Sequence, residues 1–143
     1  MTHYLGGCLC EKIRYKISSK PMSQGICYCR QCQKSGGLYG SALMVLPRNA
    51  LDCAQEALSF HTTKSNRGST VQRYFCSGCG TSIFSQISDV TDICTVKVAT
   101  LDDVSFFKPE YLVWTRSASP LCIFPIDVPK FVEGAPIEML LKY

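Results

Sequence analysis

Long hydrophobic runs are absent: no apolar stretch in these 143 residues approaches the ~18–20 that a membrane-spanning helix requires. The opening Met1-Thr2-His3-Tyr4-Leu5-Gly6-Gly7-Cys8 has neither the basic n-region nor the apolar h-region of a secretory signal. Leu5-Gly6-Gly7-Cys8 has the outline of a lipoprotein cleavage site, but without an apolar stretch ahead of the cysteine the match reads as accidental. The expectation is a cytoplasmic protein, in a compartment where thiols stay reduced. Charge is also sparse, at 18% of residues, and 15 bases against 11 acids leave only +4. That bias is too small to imply nucleic-acid binding. Histidine is nearly missing, and His3 and His61 both fall outside every motif, so neither is expected to be a ligand. No internal repeat or low-complexity tract occurs, and 46% hydrophobic residues is the composition of a folded chain. Residues 1–143 are read as one domain, able to bury about 68–70% of its unfolded surface.

Short β-rich runs are plentiful. Glu11 to Ser18 alternates strictly, with Ile13, Tyr15 and Ile17 on one face and Lys12, Arg14 and Lys16 on the other, the period-2 signature of a half-buried strand. Leu38 to Leu46 reads as a buried strand closed by Pro47. Further strands are expected over 57–63, 71–76, 82–87, 93–100 and 111–115, separated by turn residues such as Asn66, Gly68, Gly78, Gly80 and Asp89. Residues 27–37 read as a cysteine-rich loop or short helical turn ending at Gly36-Gly37. Prolines at 109, 120, 125, 129 and 136 exclude long helices from the last third, leaving room for a short one over 137–141. The fold class is mainly β, with few short helices.

Ten cysteines dominate what remains. They form three tight groups, Cys8-Leu9-Cys10, Cys27-Tyr28-Cys29-Arg30-Gln31-Cys32 and Cys76-Ser77-Gly78-Cys79, with Cys53, Cys94 and Cys122 alone. In a reducing compartment such clustering favours metal over disulfides. Seven grouped thiols are one short of two closed four-cysteine sites. A structural zinc takes four protein ligands, whereas a reactive zinc takes three and keeps one position open. Cys76-x-x-Cys79 before Gly80 has the form of a zinc knuckle and needs two partners. Cys8 and Cys10 can supply them. So can Cys29 and Cys32, as an ordinary ribbon, which would leave Cys8, Cys10 and Cys27 for a second site. Spacing does not separate these pairings. The middle group, three thiols within six residues, is self-sufficient for one metal face. That favours Cys8, Cys10, Cys76 and Cys79 as a closed site and Cys27, Cys29 and Cys32 as an open one. On a purely structural reading, Cys94 or Cys122 closes the middle group and no chemistry follows; isolated cysteines otherwise behave as buried apolar residues. A metal-free redox role is disfavoured, since three groups exceed what a dithiol switch needs.

Gly6-Gly7-Cys8-Leu9-Cys10 followed by Ile13-Arg14-Tyr15 resembles the opening of the glutathione-dependent formaldehyde-activating enzyme family, which also includes centromere protein V. Cys27-Tyr28-Cys29-Arg30-Gln31-Cys32-Gln33-Lys34 resembles its central motif, and Phe75-Cys76-Ser77-Gly78-Cys79-Gly80-Thr81 its third. Leu101-Asp102-Asp103, Trp114-Thr115-Arg116-Ser117 and Pro129-Lys130-Phe131 follow in the family's order, so the likeness covers nearly the whole chain. It implies a compact zinc-binding β-sheet domain of the β-tent type with two zinc ions per chain. It also implies that Cys8, Cys10, Cys76 and Cys79 hold a structural zinc and Cys27, Cys29 and Cys32 a reactive one. The implied activity is condensation of glutathione with formaldehyde to S-hydroxymethylglutathione, classed by its reverse as a carbon–sulfur lyase. Two departures stand out: Tyr28 replaces the family's usual histidine, and Glu11 replaces the glycine common after the first motif. A phenol with pKa near 10 is a poor proton shuttle at neutral pH compared with imidazole. The Glu11 change is expected to concern a turn.

Three thiolates suit that reaction. Zn²⁺ with three thiolates carries net −1, acidifies bound water less than zinc on three imidazoles, and favours another sulfur in its open position. Glutathione carries two carboxylates, and Arg30, Lys34 and Arg116 are the cations expected near it. Trp114 and Tyr39 are expected to be packed, and Asp102–Asp103 to form a turn. The competing class is a zinc-stapled binding module for protein or nucleic acid, using Lys12, Arg14, Lys16 and Lys20 as a basic stripe. A cytidine-deaminase-like enzyme is excluded by the missing His-x-Glu partner.

Overall fold

Two sheets, antiparallel except at one edge, share one core in the computed structural model, which describes residues 3–142. The smaller holds β1 (Tyr4–Gly7), β2 (Arg14–Ile17) and β5 (Leu51–Cys53), in the order β1-β2-β5. The larger holds β3 (Ser23–Cys27), β4 (Ser41–Pro47), β6 (Leu58–Lys64), β7 (Thr70–Cys76), β8 (Ser82–Ile87), β9 (Val90–Lys97) and β10 (Tyr111–Val113). Its order is β10-β3-β4-β9-β8-β7-β6, and only the β10–β3 pair is parallel. Two short helices complete the fold, α1 (Arg30–Gly36) and α2 (Ile137–Leu140). The mainly β expectation with few short helices holds. No helix among the described residues is long and apolar enough to cross a membrane.

Alternation creates the core. Ile13, Tyr15 and Ile17 turn inward from the small sheet onto Met44, Leu46, Ile83, Phe84 and Val96 of the large one. Burying a side chain of that kind contributes about 1.5–3 kcal/mol. β4 begins at Ser41, three residues later than expected, because the left-handed turn residues Gly37 and Gly40 hold Leu38 and Tyr39 outside the sheet. Tyr39 is 64% exposed, which corrects its expected packing. Asp102 is also more than a turn residue. Its carboxylate accepts two hydrogen bonds from the Arg14 guanidinium and joins the end of β2 to the 98–102 connection. That pairing interrupts the basic stripe on β2. Asp103 does act in a turn, accepting from the Ser105 N–H at 2.8 Å.

Close approach fixes one strand edge. The Tyr111 ring of β10 lies over Gly25 of β3, where a Cβ would meet it at 2.1 Å. The parallel register then sets Val113 opposite Cys27 and delivers the first thiol of the middle group to the end of the β10–β3–β4 ladder.

Candidate metal centres

Backbone turns aim all seven grouped thiols into two clusters. Cys8 and Cys10 lie on the β1–β2 connection, whose turn is closed by Glu11 N–H on Cys8 C=O at 3.1 Å. Cys76 ends β7, and the following turn closes through Gly80 N–H on Cys76 C=O at 2.8 Å with Gly80 at φ +77°. The Sγ atoms of Cys8, Cys10, Cys76 and Cys79 all lie within 4.8 Å of one another. Cys8–Cys10 and Cys10–Cys76 sulfurs are 3.6 and 3.7 Å apart. A tetrahedral zinc with bonds of about 2.3 Å places its sulfurs about 3.8 Å apart, so these residues fit a closed four-sulfur site. Ile13 N–H donates to Cys8 Sγ at 3.2 Å, a bond that favours its thiolate, and Gly78 N–H donates to Cys76 Sγ at 3.3 Å. The hydroxyl and N–H of Thr81 hold Cys79 down to about 5. Of the two pairings open to the knuckle, the one whose sulfurs lie together is that with Cys8 and Cys10; Cys29 and Cys32 lie in the other cluster.

Cys27, Cys29 and Cys32 form that second cluster, again with every Sγ within 4.8 Å of the others. Cys27 ends β3, Cys29 caps α1, and Cys32 sits in the first turn of α1, where its N–H donates to Cys29 Sγ at 3.3 Å. Cys29 is the thiol that ionises first, because the Cys27 and Cys32 thiols donate to it against the opposing effect of burial. Cys27 is pushed far up by the same contacts. Gln33, buried behind them, donates to Tyr28 C=O at 2.6 Å and Ser117 C=O at 2.8 Å, tying α1 to the Thr115–Ser117 turn. No fourth His, Cys, Asp or Glu joins this cluster among the described residues. Cys94 is buried in the core instead, and Cys122 lies beside Tyr28. Cys53 is buried in the core near Cys8.

The expected cations are dispersed. Arg30 is exposed and donates to the Gln33 side chain, and Lys34 is exposed in the last turn of α1. Arg116 pairs with Glu133 at 2.5 Å and lies 6.0 Å over the Trp114 ring, which is only partly buried. The structure brings two other cations toward the cluster. Arg73 of β7 donates to Gln31 Oε1 at 3.0 Å and Thr63 Oγ1 at 2.5 Å, and Gln31 lies between Cys29 and Cys32. Lys97, the last residue of β9, is 6% exposed, and its Nζ donates to Ser41 Oγ at 2.6 Å and Ser35 Oγ at 3.2 Å. Arg73 has no sequence signature, but Lys97 left a trace as one charge inside the apolar run Val96-Lys97-Val98-Ala99.

Tyr28 is buried, with its ring edge-on to Phe124 at 5.1 Å. Burial, then the nearby Cys122, raises its phenol above the ordinary value, so it stays protonated at neutral pH. Glu11 adopts φ +65°, the left-handed conformation that glycine takes without strain, which explains the family's preference there.

Two all-cysteine clusters on paired sheets, one of four thiols and one of three, are donor sets of the kind found in thiolate-metal proteins. Residues 3–117 match the family model described as glutathione-dependent formaldehyde-activating enzyme, and the chain belongs to that family. It is 29% identical over 123 residues to a Phaeosphaeria nodorum protein, covering 80% of this chain and 64% of that one. It is 28% identical over 80 residues to a Penicillium rubens protein, covering 56% and 41%. Both carry the name "Putative glutathione-dependent formaldehyde-activating enzyme". The chain thus spans between 41% and 64% of these curated relatives' length. A solved Rhodobacter sphaeroides structure shares the fold, with TM-score 0.57 and 19% identity over 71% of this chain and 91% of that one.

Proposed function

We propose that residues 1–143 act as one cytoplasmic zinc domain that makes or breaks a carbon–sulfur bond in a thiol–aldehyde adduct. The adduct is S-hydroxymethylglutathione, from glutathione and formaldehyde. The observation that carries this reading is the three-sided cluster: three sulfurs within 4.8 Å of one another and no fourth protein donor among the described residues. Two zinc ions per chain fit the two donor sets, since both are soft and all-sulfur. When bound at Cys27, Cys29 and Cys32, zinc supplies a soft Lewis acid that favours sulfur in its open position.

The chain's own residues do the rest. Cys27, Cys29 and Cys32 hold the reacting centre; Cys8, Cys10, Cys76 and Cys79 staple β1–β2 to the end of β7. Arg30 and Lys34 offer exposed charge to the two carboxylates of glutathione, and Arg73 offers a guanidinium without a carboxylate partner among the described residues. Arg116 contributes only by exchanging Glu133 for substrate. In the forward direction the thiol sulfur bonds to the aldehyde carbon, and the thiol proton ends on the former carbonyl oxygen. No oxidant or reductant is needed. Tyr28, protonated and facing Phe124, takes no part as a base.

Exchange NMR of glutathione with formaldehyde tests this, comparing wild type, Cys29→Ser and no protein. The expected result is acceleration above the uncatalysed rate by wild type alone. Equal exchange rates in all three samples, with two zinc ions bound to wild type, overturn the named substrate.

A further inference from the structure

Lys97 is the deeply buried cation among the described residues, and its surroundings lack the usual remedy. The described ion pairs are Arg14–Asp102, Arg116–Glu133 and Lys142–Glu110, and none involves Lys97. Its Nζ is held by two neutral hydroxyls, Ser41 Oγ and Ser35 Oγ. A buried ammonium is strongly disfavoured unless negative charge lies near it; otherwise the lysine gives up its proton. The backbone shows where such charge would lie. Ser41 is the cross-strand partner of Cys27, and Ser35 lies one turn beyond Cys32 on α1. The ammonium therefore sits beneath the three-cysteine cluster. Burial is the largest influence on Lys97 and lowers its pKa overall; the charge of Cys32 opposes this most, Arg73 adds to the lowering, and Cys27 and Cys29 oppose it further.

We propose that Lys97 is the fixed counter-charge of the Cys27–Cys29–Cys32 centre, positioned by Ser35 and Ser41 to offset the excess negative charge of three thiolates on a divalent ion. Taken with the function proposed above, on which this inference rests for its metal, the assignment explains how an anionic sulfur enters a site that already has net −1. One positive charge brings the surroundings of the three-thiolate centre to neutrality, and a fourth thiolate then arrives against no net repulsion. Lys97 touches no reacting atom, so it is a positioning residue.

The test reads metal retention and uses neither glutathione nor formaldehyde, so it stands apart from the substrate assay. Zinc-loaded wild type, Lys97→Met, Lys97→Gln and Lys97→Arg are titrated with a chelator, and bound zinc is counted. Both neutral variants should keep one ion as wild type does and release the other about tenfold or more readily, the usual cost of losing an outer partner of a metal site. Lys97→Arg should recover most of the loss. In a Cys29→Ser background, Lys97→Met should change nothing further. Lys97→Gln keeps a polar head for Ser41, and is decisive if Lys97→Met does not fold. Retention of both ions by Lys97→Gln at wild-type chelator concentrations would overturn the proposal, as would equal loss of both ions.

Discussion

Glu11 holds a left-handed backbone on the turn that carries Cys8 and Cys10, where its Cβ crowds the following carbonyl. Glu11→Gly should raise stability by about 1 kcal/mol in urea denaturation of the zinc-loaded chain, within the range expected for left-handed strain. A fall in stability would mean that the Glu11 side chain supports the turn in some other way. Tyr28 stands at the opposite extreme, a family departure that is well accommodated. Its ring packs between Phe124 and the space over Gly40, and its hydroxyl has no hydrogen-bond partner among the described residues. Tyr28→Phe should therefore change the rate of adduct formation by less than about twofold, since it removes neither packing nor a paired polar group. A tenfold loss in the exchange experiment would place the phenol in the chemistry.

Strands and turns divide the labour between the two centres, and the division predicts unequal mutants. Cys76 is wholly buried at the end of β7 and belongs to a closed site joining the small sheet to the large one. Cys76→Ser should abolish the cooperative thermal transition, because structural zinc contributes folding free energy directly. Cys29→Ser should leave that transition and the far-UV circular dichroism in place, since its cluster lies at one end of a ladder already hydrogen-bonded from β10 to β4. Equal destabilisation by both would make both centres structural. The elements that sequence pattern revealed are those with apolar alternation, β2 through Ile13, Tyr15 and Ile17 above all. β3 escaped because its buried register is Ser23, Gly25 and Cys27, none of them a strand signal. Ser23 is inside because its hydroxyl donates to Leu140 C=O, a partner 117 residues away. β1 ends in two glycines and β5 has three residues, so neither shows a period. The two thiol clusters were legible because their spacing is local; the cations were not, because Arg73 and Lys97 reach the cluster only through strand order.

The molecule as a whole hides titratable groups in its shared core, and this sets its behaviour in alkali. Burial pushes the Cys94 thiol up from 9.0 to about 11, with Arg48 opposing weakly. Burial likewise raises the Tyr15 phenol from 10.0 to about 12. Both are neutral in the folded state and ionise earlier in the unfolded chain. Their contribution is complete below pH 9 and is lost as pH rises through 9–11 for Cys94 and 10–12 for Tyr15. Melting temperature followed from pH 8 to 11 should fall less steeply for Cys94→Val than for wild type, and parallel curves would show that Cys94 is not responsible. Loop length carries a further consequence, for the order in which a newly made chain acquires metal. Cys29 and Cys32 are three residues apart, whereas Cys10 and Cys76 are separated by 66. Closing the longer loop costs about 3 kcal/mol more in chain entropy. On the function proposed above, an unfolded chain given one equivalent of zinc should capture it first at the nearby thiols. It should pass that ion to the distant four once the sheets have met, so that the three-cysteine cluster is the first to be visited and the last to be filled.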